Sequence, residues 1–289
     1  MIRIILLISI VLNSGCASIF GRGDLGHRKT PTGKVAVVLS GGLSRAYSEI
    51  GVLRVLEREE IPIDYIIGTE TGALVGAFYA DQKSSFDLEW KLFQLKESDF
   101  FDEVVFGRGN AIMAGQGIKN FINEQLIAND LEDLRPSVSV VTTDLKRGET
   151  VVFERGSPST IISASMVIPG IYPPVDIGGR AFVAGSLSAG NLPLAEAESK
   201  NVDLIIAVNS VGNYSFPSTS SLRDVITQDY LTKGRALTPK GIETPVIIIT
   251  PNLHGISPYD ADRRKEAFIA GMRATELKIA EIRKVLLNK

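Results

Sequence analysis

Val35-Ala36-Val37-Val38-Leu39 is an unbroken apolar run of strand length that stops at once on Ser40-Gly41-Gly42. A helical pattern follows, with Ile50, Leu53 and Leu56 at three-residue steps. Ile63-Asp64-Tyr65-Ile66-Ile67, ended by Gly68, predicts a second strand, and Ala73 to Ala80 a second helix. A strand that is apolar on both faces has no side to give to water. Short runs of this kind alternating with helices therefore demand a mostly parallel sheet with helices on both faces, a three-layer α/β fold. Further strands are expected at Ser137–Thr142, Thr150–Phe153, Leu204–Val208 and Val246–Ile249. Residues 209–245, rich in Ser, Thr, Gly and Pro, read as a long surface excursion around a short helix at 221–232. From Asp260 to Leu287, Phe268, Met272, Ile279, Ile282 and Leu286 share one helical face, which predicts a terminal helix packed on the core.

Composition narrows the function. The 31 basic and 33 acidic side chains leave a net charge of −2, which supplies no electrostatic footprint for nucleic acid. One cysteine and two distant histidines, His27 and His254, offer neither a disulfide framework nor a metal cluster, and no metal or cofactor is expected. A chain of 289 residues with 44% hydrophobic and 22% charged side chains is globular and suits one large α/β domain or two small ones.

The first 16 residues carry a different signal. A basic start (Arg3), an apolar run from Ile4 to Leu12 and the ending Asn13-Ser14-Gly15-Cys16 describe an export signal with a lipobox-like end, too short for a membrane helix. Asn13 departs from that motif, which usually has an apolar residue there. The sole cysteine falls where a bacterial lipoprotein is acylated, and acyl chains would hold the protein on a membrane. Ala17 after it resembles the signal for outer-membrane delivery. The expectation is an exported protein of the bacterial envelope, an outer-membrane lipoprotein facing the periplasm or the surface. Residues 17–33 then form a tether and 34–289 the domain.

Four segments of that domain carry chemistry. Leu39-Ser40-Gly41-Gly42-Leu43-Ser44-Arg45-Ala46 leads into Ile50-Gly51-Val52-Leu53, and Ile66-Ile67-Gly68-Thr69-Glu70-Thr71-Gly72-Ala73 follows. Val141-Thr142-Thr143-Asp144-Leu145 precedes Gly148-Glu149-Thr150-Val151-Val152-Phe153. Last come Ala164-Ser165-Met166-Val167-Ile168-Pro169-Gly170-Ile171-Tyr172-Pro173-Pro174-Val175 and Gly179-Arg180-Ala181-Phe182-Val183-Ala184-Gly185-Ser186. In order and spacing these resemble the patatin-like phospholipases. They match that family's glycine-rich oxyanion loop, its nucleophile elbow, its central strand pair and its Pro-Gly-x-Phe-Pro-Pro segment before an Asp-Gly-Gly or Asp-Gly-Ala.

The resemblance implies a Ser–Asp dyad in which the elbow serine attacks an ester, the aspartate takes its proton and loop amides stabilise the oxyanion. Glu70 stands at the serine position and Ala184 at the aspartate position. Leu43 and Ala46 replace glycines of the loop, while Gly41, Gly42, Arg45, Gly68 and Gly72 are retained. Losing both reacting groups predicts a catalytically inactive, phospholipase-like protein. It would bind a lipid or acyl group in a remnant cleft of Gly41, Gly42, Leu43, Arg45 and Glu70, or join a protein partner or a second copy of itself. The alternative is an active lipid acyl hydrolase with a non-family mechanism, using Glu70 as nucleophile, Ser186 in its turn, or Glu49 paired with Glu70.

The sequence yields further expectations. Glu70 fills the oxyanion hole, its carboxylate bonded by the amides of residues 41–43. Arg45 gives structural support, and Ser186 lies in a small-residue turn. Glu49 is solvated on the first helix, and Asp144 and Asp176 cap turns. Trp90, Leu92, Phe93 and Leu95 pack inward, while the family resemblance implies that the region 86–106, with Phe86, Phe93, Phe100, Phe101 and Phe106, forms a cap near the site.

Overall fold

The computed structural model describes residues 31–100, 102, 111–212, 214, 221–236 and 241–287. The expectations placed on residues 1–30, on Phe101 and on Phe106 lie outside them. In chain order the first elements are β1 (Val35–Leu39), α1 (Tyr47–Arg58), β2 (Tyr65–Gly68), α2 (Thr71–Gln82) and α3 (Ser85–Leu92). After α4 (Glu97–Phe100) and α5 (Gln116–Gln125) come β3 (Ser137–Asp144), β4 (Glu149–Phe153) and α6 (Pro158–Ser165). Then follow β5 (Val175–Ile177), β6 (Arg180–Ala184), α7 (Ser186–Ala189), α8 (Leu194–Glu198) and β7 (Leu204–Val208). α9 (Leu222–Ala236), β8 (Val246–Ile249), α10 (Arg264–Glu276) and α11 (Ile279–Leu287) complete the chain.

One sheet organises these elements, in the order β5-β6-β3-β2-β1-β7-β8, with β4 also on β3. The pairs β1/β2, β1/β7, β2/β3 and β7/β8 are parallel, and β3/β4, β3/β6 and β5/β6 antiparallel. All five side chains of β1 are fully buried, and they alternate between two cores. Val35, Val37 and Leu39 join the cluster built with α1, α2 and α10. Ala36 and Val38 join another that includes Leu194 and Ala197 of α8. A period of two therefore divides each central strand between two helical layers, as its apolar continuity requires. A third cluster gathers Val167, Ile168, Ile171, Val183, Ala184 and Val211 with Tyr230 and Leu231 of α9.

Two glycines set how α10 sits on α1. A Cβ on Gly51 would overlap the Phe268 carbonyl, and one on Gly271 would overlap that of Ser48, so the two backbones cross in near contact.

Three expectations about elements need correction. β5 and β6 form an antiparallel extension that the sequence did not predict, because β5 is only three residues long with exposed Asp176 at its centre, and the buried part of β6 is only Phe182, Val183 and Ala184. The terminal helix is two helices, divided at Leu277-Lys278. The helix expected at 221–232 is present as α9, but it is not a surface element, because Thr227, Tyr230 and Leu231 on it are buried. Composition marks a segment as polar; it does not say which of its few apolar residues point inward.

Candidate functional site

The glycine-rich loop leaves the C-terminal end of β1, and its neighbour β2 runs into a sharp turn before α2. At that turn Glu70 has φ 56° and ψ −132°, a conformation costly for any side chain with a Cβ. The surroundings enforce it. The Glu70 amide donates to Ser165 Oγ at 2.9 Å, and Ser165 Oγ donates to the Val141 carbonyl at 2.7 Å. Gly72 lies so close to Ser40 that a Cβ would overlap its carbonyl oxygen. This strand–turn–helix elbow projects one side chain toward the loop at the end of β1.

That side chain is an acid, and it is buried. Its carboxyl lies over Gly41, where an added Cβ would collide with it. Its hydrogen bonds come from the Tyr230 hydroxyl on α9 and from Ser186, the first residue of α7, which also bonds Tyr230. The expectation that amides of residues 41–43 would hold it needs correction, since the Leu43 amide donates to Thr71 Oγ1 at 3.0 Å. Burial raises the Glu70 pKa, and the bonds from Ser186 and Tyr230 pull it back only in part. Burial, then Glu70 itself, pushes the Tyr230 phenol well above its ordinary value, so it stays a donor.

Glu49 is the larger surprise. Far from being solvated, it is fully buried on α1. Its Oε1 accepts from the Ser40 amide at 2.9 Å, Ser40 Oγ at 3.1 Å and Ser210 Oγ at 3.1 Å. Its Oε2 has no hydrogen-bond partner. Desolvation lifts its pKa well above the usual range, the serine bonds oppose that, and nearby Glu70 adds to it. The helical pattern could have exposed this: Glu49 immediately precedes Ile50, close to the apolar stripe that faces the core.

Arg45 is also buried. Its guanidinium donates to the carbonyls of Ser210 (3.0 Å), Val211 (3.2 Å), Leu253 (2.9 Å) and Ile256 (2.6 Å), and lies 4.9 Å from the Tyr214 ring centroid. Burial brings its pKa down to about 10, so it is charged at neutral pH. It clamps the two chain segments that follow β7 and β8. Leu43 keeps a positive φ of 51°, a backbone shape suited to the glycine whose place it takes. Ala184, at the end of β6, is wholly buried in apolar surroundings and offers no polar atom beyond its backbone.

The remaining expectations divide. Asp144 accepts from the amides of Lys146 and Arg147, both at 3.0 Å, and pairs with Arg180 at 2.6 Å, which together hold its pKa low. Asp176 accepts from the Gly179 amide at 3.1 Å. Both are turn caps, as expected. Leu92 and Leu95 are buried and Phe93 packs edge-on to Tyr47 and Phe268, but Trp90 and Phe86 project from α3, 68% and 64% exposed. The aromatic cap is therefore not formed by Phe86 and Phe93: one faces outward and the other packs on α1 and α10. His254 is exposed in the loop after β8 and is not among the partners of Glu70. Among the described residues no group of three His, Cys, Asp or Glu side chains could hold a metal.

A mixed sheet with a parallel centre, a glycine loop after its first strand and a strained strand–turn–helix elbow beside that loop define the class of α/β proteins built around a nucleophile elbow. Residues 37–198 match the family model described as patatin-like phospholipase, and the chain belongs to that family. It is 29% identical over 203 residues to an uncharacterized NTE family protein of Mycobacterium tuberculosis, covering 70% of this chain and 56% of the relative. It is 30% identical over 179 residues to Lysophospholipase NTE1 of Debaryomyces hansenii, covering 61% of this chain and 12% of that protein. With human patatin-like phospholipase domain-containing protein 6 the identity is 28% over 200 residues, 67% of this chain and 14% of that one. The chain thus spans little more than half the length of the mycobacterial relative and a small part of the other two. Among solved structures it is similar to VipD from Legionella pneumophila, with a TM-score of 0.48 and 13% identity, covering 86% of this chain and 67% of that one.

Proposed function

We propose that this patatin-like protein does not cleave esters through its family's Ser–Asp dyad and instead holds a lipid acyl group at the elbow. The observation that carries this reading is the Glu70 side chain. The acid occupies the one position that the strained turn presents, its carboxyl is engaged by Tyr230 and Ser186, and the methyl of Ala184 can accept no proton. Loss of a nucleophile and its base together commonly removes several orders of magnitude of rate, leaving only binding and backbone positioning.

Short- and long-chain acyl esters and lysophospholipids, offered to purified protein, are expected to show no hydrolysis above background. Glu70→Ser alone restores none, because Ala184 remains. Adding Ala184→Asp tests whether Leu43 also blocks the loop. Robust wild-type turnover abolished by Glu70→Gln would overturn the proposal.

One contact favours a second reading, an active acyl hydrolase with a rearranged site. Ser186 is bonded to Tyr230 and lies against a buried acid of raised pKa, as a hydroxyl beside its base would. A fluorophosphonate adduct mapped to Ser186 would select that reading. On either reading we propose that Cys16 is lipidated and places the protein on a bacterial envelope membrane, with a partner or a second copy as a further ligand. Cys16→Ser is then expected to move the protein from the membrane to the soluble fraction.

A further inference from the structure

A groove of about 520 Å³ runs between α10 and the loop that follows β8, and none of the elbow residues lines it. Asn252, His254 and Ile256 line it from the loop, and Ile269, Arg273 and Leu277 from the helix. The loop side is held in place by the fold. Arg45 donates to the carbonyls of Leu253 at 2.9 Å and Ile256 at 2.6 Å, and Arg263 to that of Gly255 at 2.6 Å. A preformed hollow of this size falls within the ~300–1,000 Å³ of small-molecule sites. Its helix side carries charge that nothing balances. Arg263 and Glu266 both line the groove and cancel, joined by bonds of 3.1 Å and 2.6 Å to the two carboxylate oxygens. Glu276, one turn from Arg273, pairs instead with Arg58 at 3.0 Å. Among the described residues the Arg273 guanidinium has no hydrogen-bond or ion-pair partner. It stands four residues from both Ile269 and Leu277, so the three share one face of α10. Those two aliphatic side chains are 37% and 84% exposed.

We propose that this groove binds a single-chain anionic amphiphile, its phosphate or carboxylate head on Arg273 and its chain on the flanking aliphatic side chains. A guanidinium presents a planar fork that meets two oxygens of such a head at once. The uncovered Ile269 and Leu277 give an apolar chain surface to remove from water, which a bare inorganic anion cannot do. The site is separate from the acyl reading of the elbow and stands or falls without it.

The test titrates octyl phosphate into the full chain by calorimetry and maps its place by hydrogen exchange. Added protection is expected over residues 250–256 and 269–277. Arg273→Gln is expected to weaken binding about tenfold, as for the loss of roughly one hydrogen bond to a charged group. Leu277→Ser should weaken it several-fold while leaving the affinity for inorganic phosphate unchanged. Both side chains are exposed, so neither change disturbs the core. Vesicles of phosphatidylcholine with and without phosphatidic acid distinguish the sources of the head. Extra binding to phosphatidic acid that Arg273→Gln abolishes assigns a bilayer lipid; octyl phosphate binding without it assigns a free amphiphile. Octyl phosphate held as tightly by Arg273→Gln as by the wild type would overturn the groove. Protection confined to 69–73 and 222–236 would also overturn it and favour the elbow instead. No binding of either octyl phosphate or phosphatidic acid would overturn the groove alone, because the elbow reading is tested by its own variants.

Discussion

Glu49 gathers three serine donors on one oxygen and leaves the other without a partner, while Glu70 draws on a phenol and a hydroxyl. Neither acid has a cation among the named causes of its shift, and burial raises both above the ordinary 4.5. A carboxyl whose pKa rises on folding contributes stability that is complete below its unfolded value and is lost as pH climbs through the folded value. The melting temperature is therefore expected to fall as pH rises above the ordinary 4.5, and Glu49→Gln to flatten that fall and to melt higher than wild type at alkaline pH. Equal slopes in the two proteins would remove Glu49 from the explanation. Arg45 works in the opposite sense, since four carbonyls depend on one cation. Arg45→Met is expected to cost about 3 kcal/mol or more in urea unfolding, because hydrogen bonds to a charged group contribute roughly 1.5–3 kcal/mol each; a loss under about 1 kcal/mol would contradict the clamp. At this scale the chain was only half legible. Glu70, Arg45, Asp144 and Asp176 could be placed from motif and turn chemistry, whereas Glu49 reads as an ordinary helix carboxylate until α1 is docked.

Between α1 and α10 the close approach rests on Gly51 and Gly271, each facing a carbonyl of the other helix. Backbone cannot retreat as a flexible side chain can. Gly271→Ala is thus expected to lose about 1–3 kcal/mol by overpacking, visible as a melting temperature lower by several degrees. A variant melting within a degree of wild type would show that the crossing yields easily. α2 shows how far local pattern reaches: Thr71–Ala80 is buried on every side, consistent with a helix that is apolar all round. α9 shows where it stops. Leu222, Ile226 and Tyr230 recur at four-residue steps, yet Leu222 is exposed and Tyr230 buried, so the helical period alone does not say how much of that side is seated on the third cluster.

Taken as one body, the molecule combines a sheet divided between two helical layers with a smaller third cluster where the elbow, α7 and α9 converge. A ligand that binds this folded form and not the unfolded chain raises stability by RT ln(1 + [L]/Kd), about 2.7 kcal/mol at one hundred times Kd. A C18 fatty acid at that excess is therefore expected to raise the melting temperature by roughly 5–10 °C for a chain of this size, and an unshifted melt would count against acyl binding. From the sequence alone came the three layers, the parallel strands, the glycine loop and the elbow with an acid upon it. Each depends on residues adjacent in the chain, where strand period, apolar continuity and turn glycines act locally. Tertiary structure alone decided that Glu70 meets Tyr230 from 160 residues away, that Ser186 joins them and that Glu49 is dry. Burial and hydrogen-bond partnership belong to packed surfaces brought together from distant segments, and no local spacing encodes which surfaces those will be.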